Sequence, residues 1–203
     1  MKFSRREIDY LTLMESLKDY AFPRDRVTKL LKSGALSRVK KGLYLWNELD
    51  EPYSREILAN LIYGPSYISL EYALNLYGLI PEAVPLVTSV TTGRNKRFDT
   101  EAGTFSYRHV PVEYYSPGIS YMSGASESGY IVASPAKALF DMLYLNVPDL
   151  REGEIPAYFF KNLRMEPEEV AAIDFSEIRV LIETCLKPSI RALALYLEEG
   201  NNG

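Results

Sequence analysis

Seven cations fall within eighteen positions near the start of the chain: Arg24, Arg26, Lys29, Lys32, Arg38, Lys40 and Lys41. The chemistry that closely spaced lysines and arginines perform best is neutralisation of phosphates. Each cation seated on a phosphate displaces condensed counterions, so such a cluster binds a polyanion with an affinity that falls as salt rises. The plainer reading is a solvated face, since charge-rich stretches often do no more than keep a surface wet. The distribution of charge along the whole chain argues against it. Residues 1–46 hold eleven Lys or Arg against five Asp or Glu, a net +6, while residues 47–203 hold twelve against twenty-two, a net −10. A basic first quarter joined to an acidic remainder suggests that the two parts meet different partners.

Other candidate chemistry is thinner. Arg94, Lys96 and Arg97 form the one basic cluster within the acidic part, a possible second patch. Asp99 and Glu101 lie beside Lys96, and paired carboxylates can hold the divalent cation of a nuclease. Their spacing lacks the carboxylate, spacer and lysine on one strand that such centres use, so a solvated turn is favoured. Lys137 and Asp141 stand four apart on a helical pattern and read as an exposed or half-exposed ion pair. Phe105, Tyr107 and His109 alternate and could stack bases, but in a chain with sixteen tyrosines a core or protein-interface face is the better reading. One cysteine, Cys185, allows no internal disulfide and reads as a buried thiol; one histidine, His109, gives no zinc-ligand spacing. No glycine-rich phosphate loop occurs, and Gly118 and Gly124, six apart in Ser-rich sequence, read as a loop. No G-x-S-x-G elbow occurs either. The residues therefore point away from an enzyme and imply neither metal nor cofactor.

The elements that must carry the cations follow from pattern. Ile8, Leu11, Met14 and Leu17 recur at intervals of three, which predicts a helix over residues 4–18 with Ser4 as its cap. Pro23 suits the first turn of a second helix, Asp25 its positive end, and Val27, Leu30 and Leu31 its buried stripe, with Gly34 as the stop. Residues 36–46, LSRVKKGLYLW, predict a hairpin turning at Lys41-Gly42. A basic helix followed at once by a hairpin with cations near its tip has the layout of a winged helix, in which the helix enters the DNA major groove and the wing sits on phosphates.

A polar connector over 47–53 separates this head from the rest. Beyond it the pattern predicts helices over 54–63 and 70–77 (the latter capped by Ser69), strands over 86–92, 103–110 and 130–133, and a cationic turn over 93–97. A helix over 136–144 opens at Ser134-Pro135, and the chain is helical from about residue 153 onward, with Pro167 and Pro188 at helix starts. The expected fold class is α+β: a winged helix-turn-helix over residues 1–47, shortened or degenerate, and an α+β domain over 53–203 ending in helices. No apolar run is long enough to span a membrane and the start has no secretory layout, so the expectation is a cytoplasmic protein with no membrane partner.

Four motifs in order resemble a known family: GALSRVKKGLY over residues 34–44, PSYISLEYAL over 65–74 followed by YGL over 77–79, VTSVTT over 87–92, and IVASPAKALFD over 131–141. Together they are similar to the AbiEi-type antitoxins of bacterial abortive-infection systems, and the similarity covers roughly residues 20–145. The resemblance implies a winged helix that binds double-stranded operator DNA to repress its own operon. It further implies a C-terminal domain that counteracts a nucleotidyltransferase-like toxin encoded alongside, with or without a stable complex. By position, Arg24, Arg26, Lys29 and Lys32 would be the recognition-helix cations and Arg38, Lys40 and Lys41 those of the wing. The toxin's own G-S and D-x-D signature is absent here. The family's head has a further helix before the recognition helix, whereas residues 4–34 have room for two. Two other readings stay open: an interaction module that keeps this fold without binding DNA, and a metal-dependent nuclease.

Overall fold

The computed structural model describes residues 3–123 and 128–200, a mixed α+β arrangement built on two β-sheets. The chain opens with a strand, β1 (Glu7–Asp9), from which helix α1 (Tyr10–Ser16) starts directly. The expected helix from residue 4 does not form because the backbone there has a better partner. β1 pairs antiparallel with a later strand, Glu7 opposite Leu45 and Asp9 opposite Leu43. The cap is accordingly Asp9, whose carboxylate accepts the Thr12 N–H and hydroxyl, both at 2.9 Å. Ile8 is buried as a strand residue, and Leu11, on the expected apolar stripe, is 78% exposed.

Helix α2 (Pro23–Lys32) begins with its proline in the first turn and buries Val27 and Leu30. Strands β2 (Leu36–Lys40) and β3 (Leu43–Trp46) follow as the expected hairpin, closed at Lys41-Gly42 with Gly42 at φ 85°, a left-handed conformation that glycine adopts without steric cost. The three strands lie in the order β1-β3-β2. This small sheet is a shared wall. Leu36, Tyr44 and Trp46 pack with Ile8, Leu13, Leu17, Val27 and Leu30, while Val39, Leu43 and Leu45 join the main core of the chain. The connector is tied down by Arg6, whose guanidinium donates to the carbonyls of Trp46 (3.2 Å) and Glu51 (3.1 Å) and to Asn47 Oδ1 (2.8 Å).

The second sheet has six strands in the order β6-β7-β5-β4-β9-β8: β4 (Ser66–Ile68), β5 (Val87–Thr91), β6 (Lys96–Thr100), β7 (Gly103–His109), β8 (Ile119–Ser123) and β9 (Gly129–Ala133). β5 runs parallel to β7 and β4 parallel to β9; the other pairings are antiparallel. Two strands replace expected non-strand segments. The cationic turn over 93–97 gives way at Lys96 to the edge strand β6, and the Ser-rich stretch from Gly118 forms the other edge, β8; Gly124 lies outside the described residues. Every residue of β5 is buried, so both faces of the sheet are covered at its centre.

On one face lies α3 (Arg55–Ile62), capped by Ser54 and bonded to the sheet where the Tyr107 hydroxyl donates to the Ala59 carbonyl at 2.6 Å. On the other lie α4 (Leu70–Leu76) and α5 (Pro135–Leu145). α5 is capped by Ser134, which accepts the Lys137 N–H. α4 has no such cap, because the Ser69 hydroxyl donates instead to Asp141 Oδ2 at 2.7 Å. Beyond it come α6 (Ile155–Ala157), α7 (Pro167–Ala171), α8 (Arg179–Thr184) and α9 (Pro188–Gly200), with the expected prolines opening α7 and α9. Ile190 and Leu193 of α9 are buried in the main core, and the Ser189 hydroxyl donates to the Leu143 carbonyl of α5 at 3.0 Å. Cys185 is buried, as expected of a packing thiol. Among the described residues no helix is long and apolar enough to cross a membrane.

The pair Lys137 and Asp141 departs from expectation. Both side chains are 0% exposed, with the ammonium 2.6 Å from Asp141 Oδ1. The ammonium also donates to the Tyr114 carbonyl at 2.8 Å, and the second carboxylate oxygen accepts from Tyr67 at 3.0 Å and from Ser69. Burial and the neighbouring carboxylate push the Tyr67 phenol well above its ordinary value of 10.0, so it stays protonated as a donor. A charge pair is tolerable in such a place only when each partner is hydrogen-bonded as this one is.

Candidate nucleic-acid interface

The site is built on α2, whose buried side fixes which cations are free. With a residue every 100°, Val27 and Leu30 turn inward and Arg24, Asp25, Thr28, Lys29 and Lys32 form the opposite, exposed surface. Lys29 and Lys32 in the last turn also complement the negative end of the helix dipole. Arg26 lies at the margin: it is half-buried, its guanidinium 5.5 Å from the Tyr20 ring and its Nε buried without a hydrogen-bond partner. None of the four takes part in an ion pair among the described residues. Thr28 adds a hydroxyl that donates to the Arg24 carbonyl at 3.2 Å.

The hairpin divides its three cations. Arg38 is exposed, with its guanidinium 5.9 Å from the Tyr44 ring, and Lys41 is exposed on the turn. Lys40 faces inward, its ammonium donating to the Ile62 carbonyl of α3 and lying 5.5 Å from the Phe98 ring of β6. Burial pulls its pKa below the ordinary 10.5. The turn itself is short and held close to α1, the Tyr10 N–H donating to the Gly42 carbonyl at 2.9 Å.

The second basic patch lies near the Lys40–Phe98 contact, on the segment that runs into β6. Arg94 is in the turn, and Lys96 and Arg97 begin β6; all three are exposed. Arg97 is 3.3 Å from Asp99, which also accepts from the Thr104 hydroxyl at 2.9 Å. The carboxylate considered for metal binding is thus occupied by neighbours, and no group of three or more His, Cys, Asp or Glu among the described residues is placed to hold a metal ion. Phe105 and Tyr107 are buried in the core and only His109, at the end of β7, is exposed, so the three offer no stacking surface. Sequence reading did not find the role of His109 and Asn95. His109 N–H donates to Asn95 Oδ1 at 2.7 Å, and the His109 ring meets the Gly93 carbonyl at 2.9 Å. These contacts join residues fourteen and sixteen positions apart, which no local pattern signals.

No family model and no curated protein matches this chain.

Proposed function

We propose that the chain is an antitoxin-like transcriptional regulator, in which residues 1–47 form a winged helix that binds duplex operator DNA and the larger α+β part acts against a nucleotidyltransferase-like toxin. The observation that carries the DNA half is the exposed side of α2, where Arg24, Lys29 and Lys32 stand together without carboxylate partners in ion pairs among the described residues. The element order supports it: two short helices, the second basic, then a hairpin whose sheet is completed by the strand before them, β1-β3-β2. In that arrangement the second helix enters the major groove. Among the described residues a strand, β1, precedes the two helices. The antitoxin half rests on the four ordered motifs that resemble the AbiEi type. A DNA target would place the protein in the cytoplasm.

The test is fluorescence anisotropy with DNA from immediately upstream of the reading frame, at several salt concentrations. Replacing Arg24, Lys29 and Lys32 together by alanine should flatten the slope of log affinity against log salt by up to about 2.7, at roughly 0.9 per phosphate contact. Binding that ignores both salt and the triple substitution removes the reading. Co-expression with a neighbouring frame bearing a nucleotidyltransferase signature tests the other half: growth arrest relieved by this chain supports it, and arrest unrelieved removes it.

A second reading has its own observation. With Lys40 turned to α3, the hairpin's only exposed cations are Arg38, beside the Tyr44 ring, and Lys41 on the turn, a sparse wing for DNA. A protein-interaction module would show a co-purifying partner and no DNA shift. No observation favours the nuclease reading.

A further inference from the structure

In the acidic part of the chain, residues 93–97, a short turn running into the start of β6, carry three cations, and the backbone of the turn is fixed from several sides. The Gly93 N–H donates to Thr91 Oγ1 at 3.0 Å, the Arg94 N–H to the Tyr63 hydroxyl at 3.1 Å, and the His109 N–H to Asn95 Oδ1, while the His109 ring engages the Gly93 carbonyl. A Cβ on Gly93 would stand 2.5 Å from the Tyr63 hydroxyl, so only glycine lets that hydroxyl close over the turn. Tyr63 has little room to yield, being packed edge-on against Tyr107 at 5.3 Å and at a tilt against Phe98 at 6.1 Å. Arg94 and Lys96 are exposed and form no ion pair among the described residues, whereas Arg97 is partly neutralised by Asp99. A loop held in place loses little conformational entropy when an anion settles on it.

This loop adjoins the hairpin of the head. Tyr63, which holds Arg94, follows Ile62, whose carbonyl takes the Lys40 ammonium. Phe98, against which Lys40 rests, shares a sheet face with Lys96, since Lys96 lies opposite Tyr107 and Phe98 opposite Phe105. Two residues along a strand span about 7 Å. One contact, the Lys40 ammonium against the Phe98 ring, therefore separates the Lys41 turn from the cations of β6.

We propose that residues 93–97 are a second phosphate-contact point for the duplex that α2 engages, so that the DNA path runs from α2 past the hairpin turn onto the β6 edge. This rests on the DNA-binding reading of the head. Arg94 and Lys96 hold phosphates on the far side of the hairpin, fix the register of the duplex and carry no base specificity of their own.

The experiment is anisotropy on the full chain with a fluorescent duplex of the upstream DNA, comparing wild type, Arg94→Ala/Lys96→Ala and Arg24→Ala/Lys29→Ala between 50 and 200 mM salt. Equal thermal melting of the three confirms that each is folded. The loop variant should flatten the salt slope by about 1.8, so that the ratio of wild-type to variant affinity shrinks about tenfold across that range. A loop variant with the wild-type slope, beside an α2 variant with a reduced one, overturns the second contact and leaves the head's role standing. A wild-type chain that binds no duplex at any salt overturns both.

Discussion

The ammonium of Lys137 meets Asp141 Oδ1 at 2.6 Å in the middle of the main core, where α5 crosses the sheet and solvent reaches neither side chain. Tyr67 and Ser69 bring two hydroxyls from β4 and the residue after it to the same carboxylate, so one charge pair ties α5 to the central strands and to the start of α4. Leu70, next to Ser69, is held at φ 60°, a left-handed conformation that costs a branched residue roughly 1–3 kcal/mol. Hydrogen bonds flank it on either side: Thr88 Oγ1 donates to the Ser69 carbonyl at 2.7 Å and accepts the Tyr72 N–H at 3.3 Å.

Asp141→Asn should therefore destabilise the fold by about 3–5 kcal/mol, because it leaves the ammonium buried without a counter-charge. Lys137→Met combined with Asp141→Leu should cost much less than the sum of the two single changes. Urea midpoints of wild type, Lys137→Met, Asp141→Leu and the double variant read the coupling directly, and that of Asp141→Asn reads the first loss; additive losses would show that the pair is not coupled.

Much of this fold is legible in the sequence where an element satisfies itself locally. Helix α2 has its proline, stripe and stop within twelve residues, and the hairpin has alternation on both sides of Lys41-Gly42. What escaped detection depends on distant partners. β1 is three residues long and exists only because β3 pairs with it. β6 reads as a turn because KRFDT over 96–100 carries three charges, and an edge strand open to solvent tolerates them. Within the site, the cluster of cations is readable from the residue types, but the division between Lys40 and Lys41 is not. The register of β2 on β3 shifts between Arg38 and Lys40, so simple alternation fails at the residue that matters.

Glu56 supplies a pH dependence. Burial raises its pKa, but hydrogen bonds from the Tyr72 and Ser54 hydroxyls outweigh burial and hold it below the ordinary 4.5. A carboxylate whose folded pKa is depressed stabilises the native state above its unfolded value and loses that contribution as pH falls through the folded value. Tyr72→Phe should lower stability by about 1–2 kcal/mol at pH 7. The gap between variant and wild type should close as acid titrates the group below 4.5. Denaturation midpoints at a series of pH values test it; a gap constant with pH would mean that Tyr72 acts by packing alone.

Gly93→Ala drives a methyl group into the Tyr63 hydroxyl and should cost about 1–3 kcal/mol, the usual range for overpacking. Tyr63→Phe removes the clashing atom, so the double variant should recover part of the loss that Gly93→Ala causes alone. A thermal-melt cycle over the four proteins measures the coupling. Losses that simply add would place the strain elsewhere than at this contact.

Lys40 and Lys41 are neighbours in sequence with opposite duties, and single substitutions separate them. Lys40→Ala leaves the Ile62 carbonyl without its donor and should cost about 1–2 kcal/mol, while leaving the salt slope of the proposed DNA binding unchanged. Lys41→Ala should stay within about 0.5 kcal/mol of wild type, as surface changes do, and flatten that slope by about 0.9. Titration gives an independent check on Lys40. Because burial lowers its folded pKa below the unfolded 10.5, the unfolded chain binds more protons there, and wild type should gain stability relative to Lys40→Met as pH rises through the lowered value toward 10.5. If Lys40→Ala instead altered the salt slope with no loss of stability, its ammonium would have to leave Ile62 for a phosphate, and the hairpin would reach DNA with both lysines.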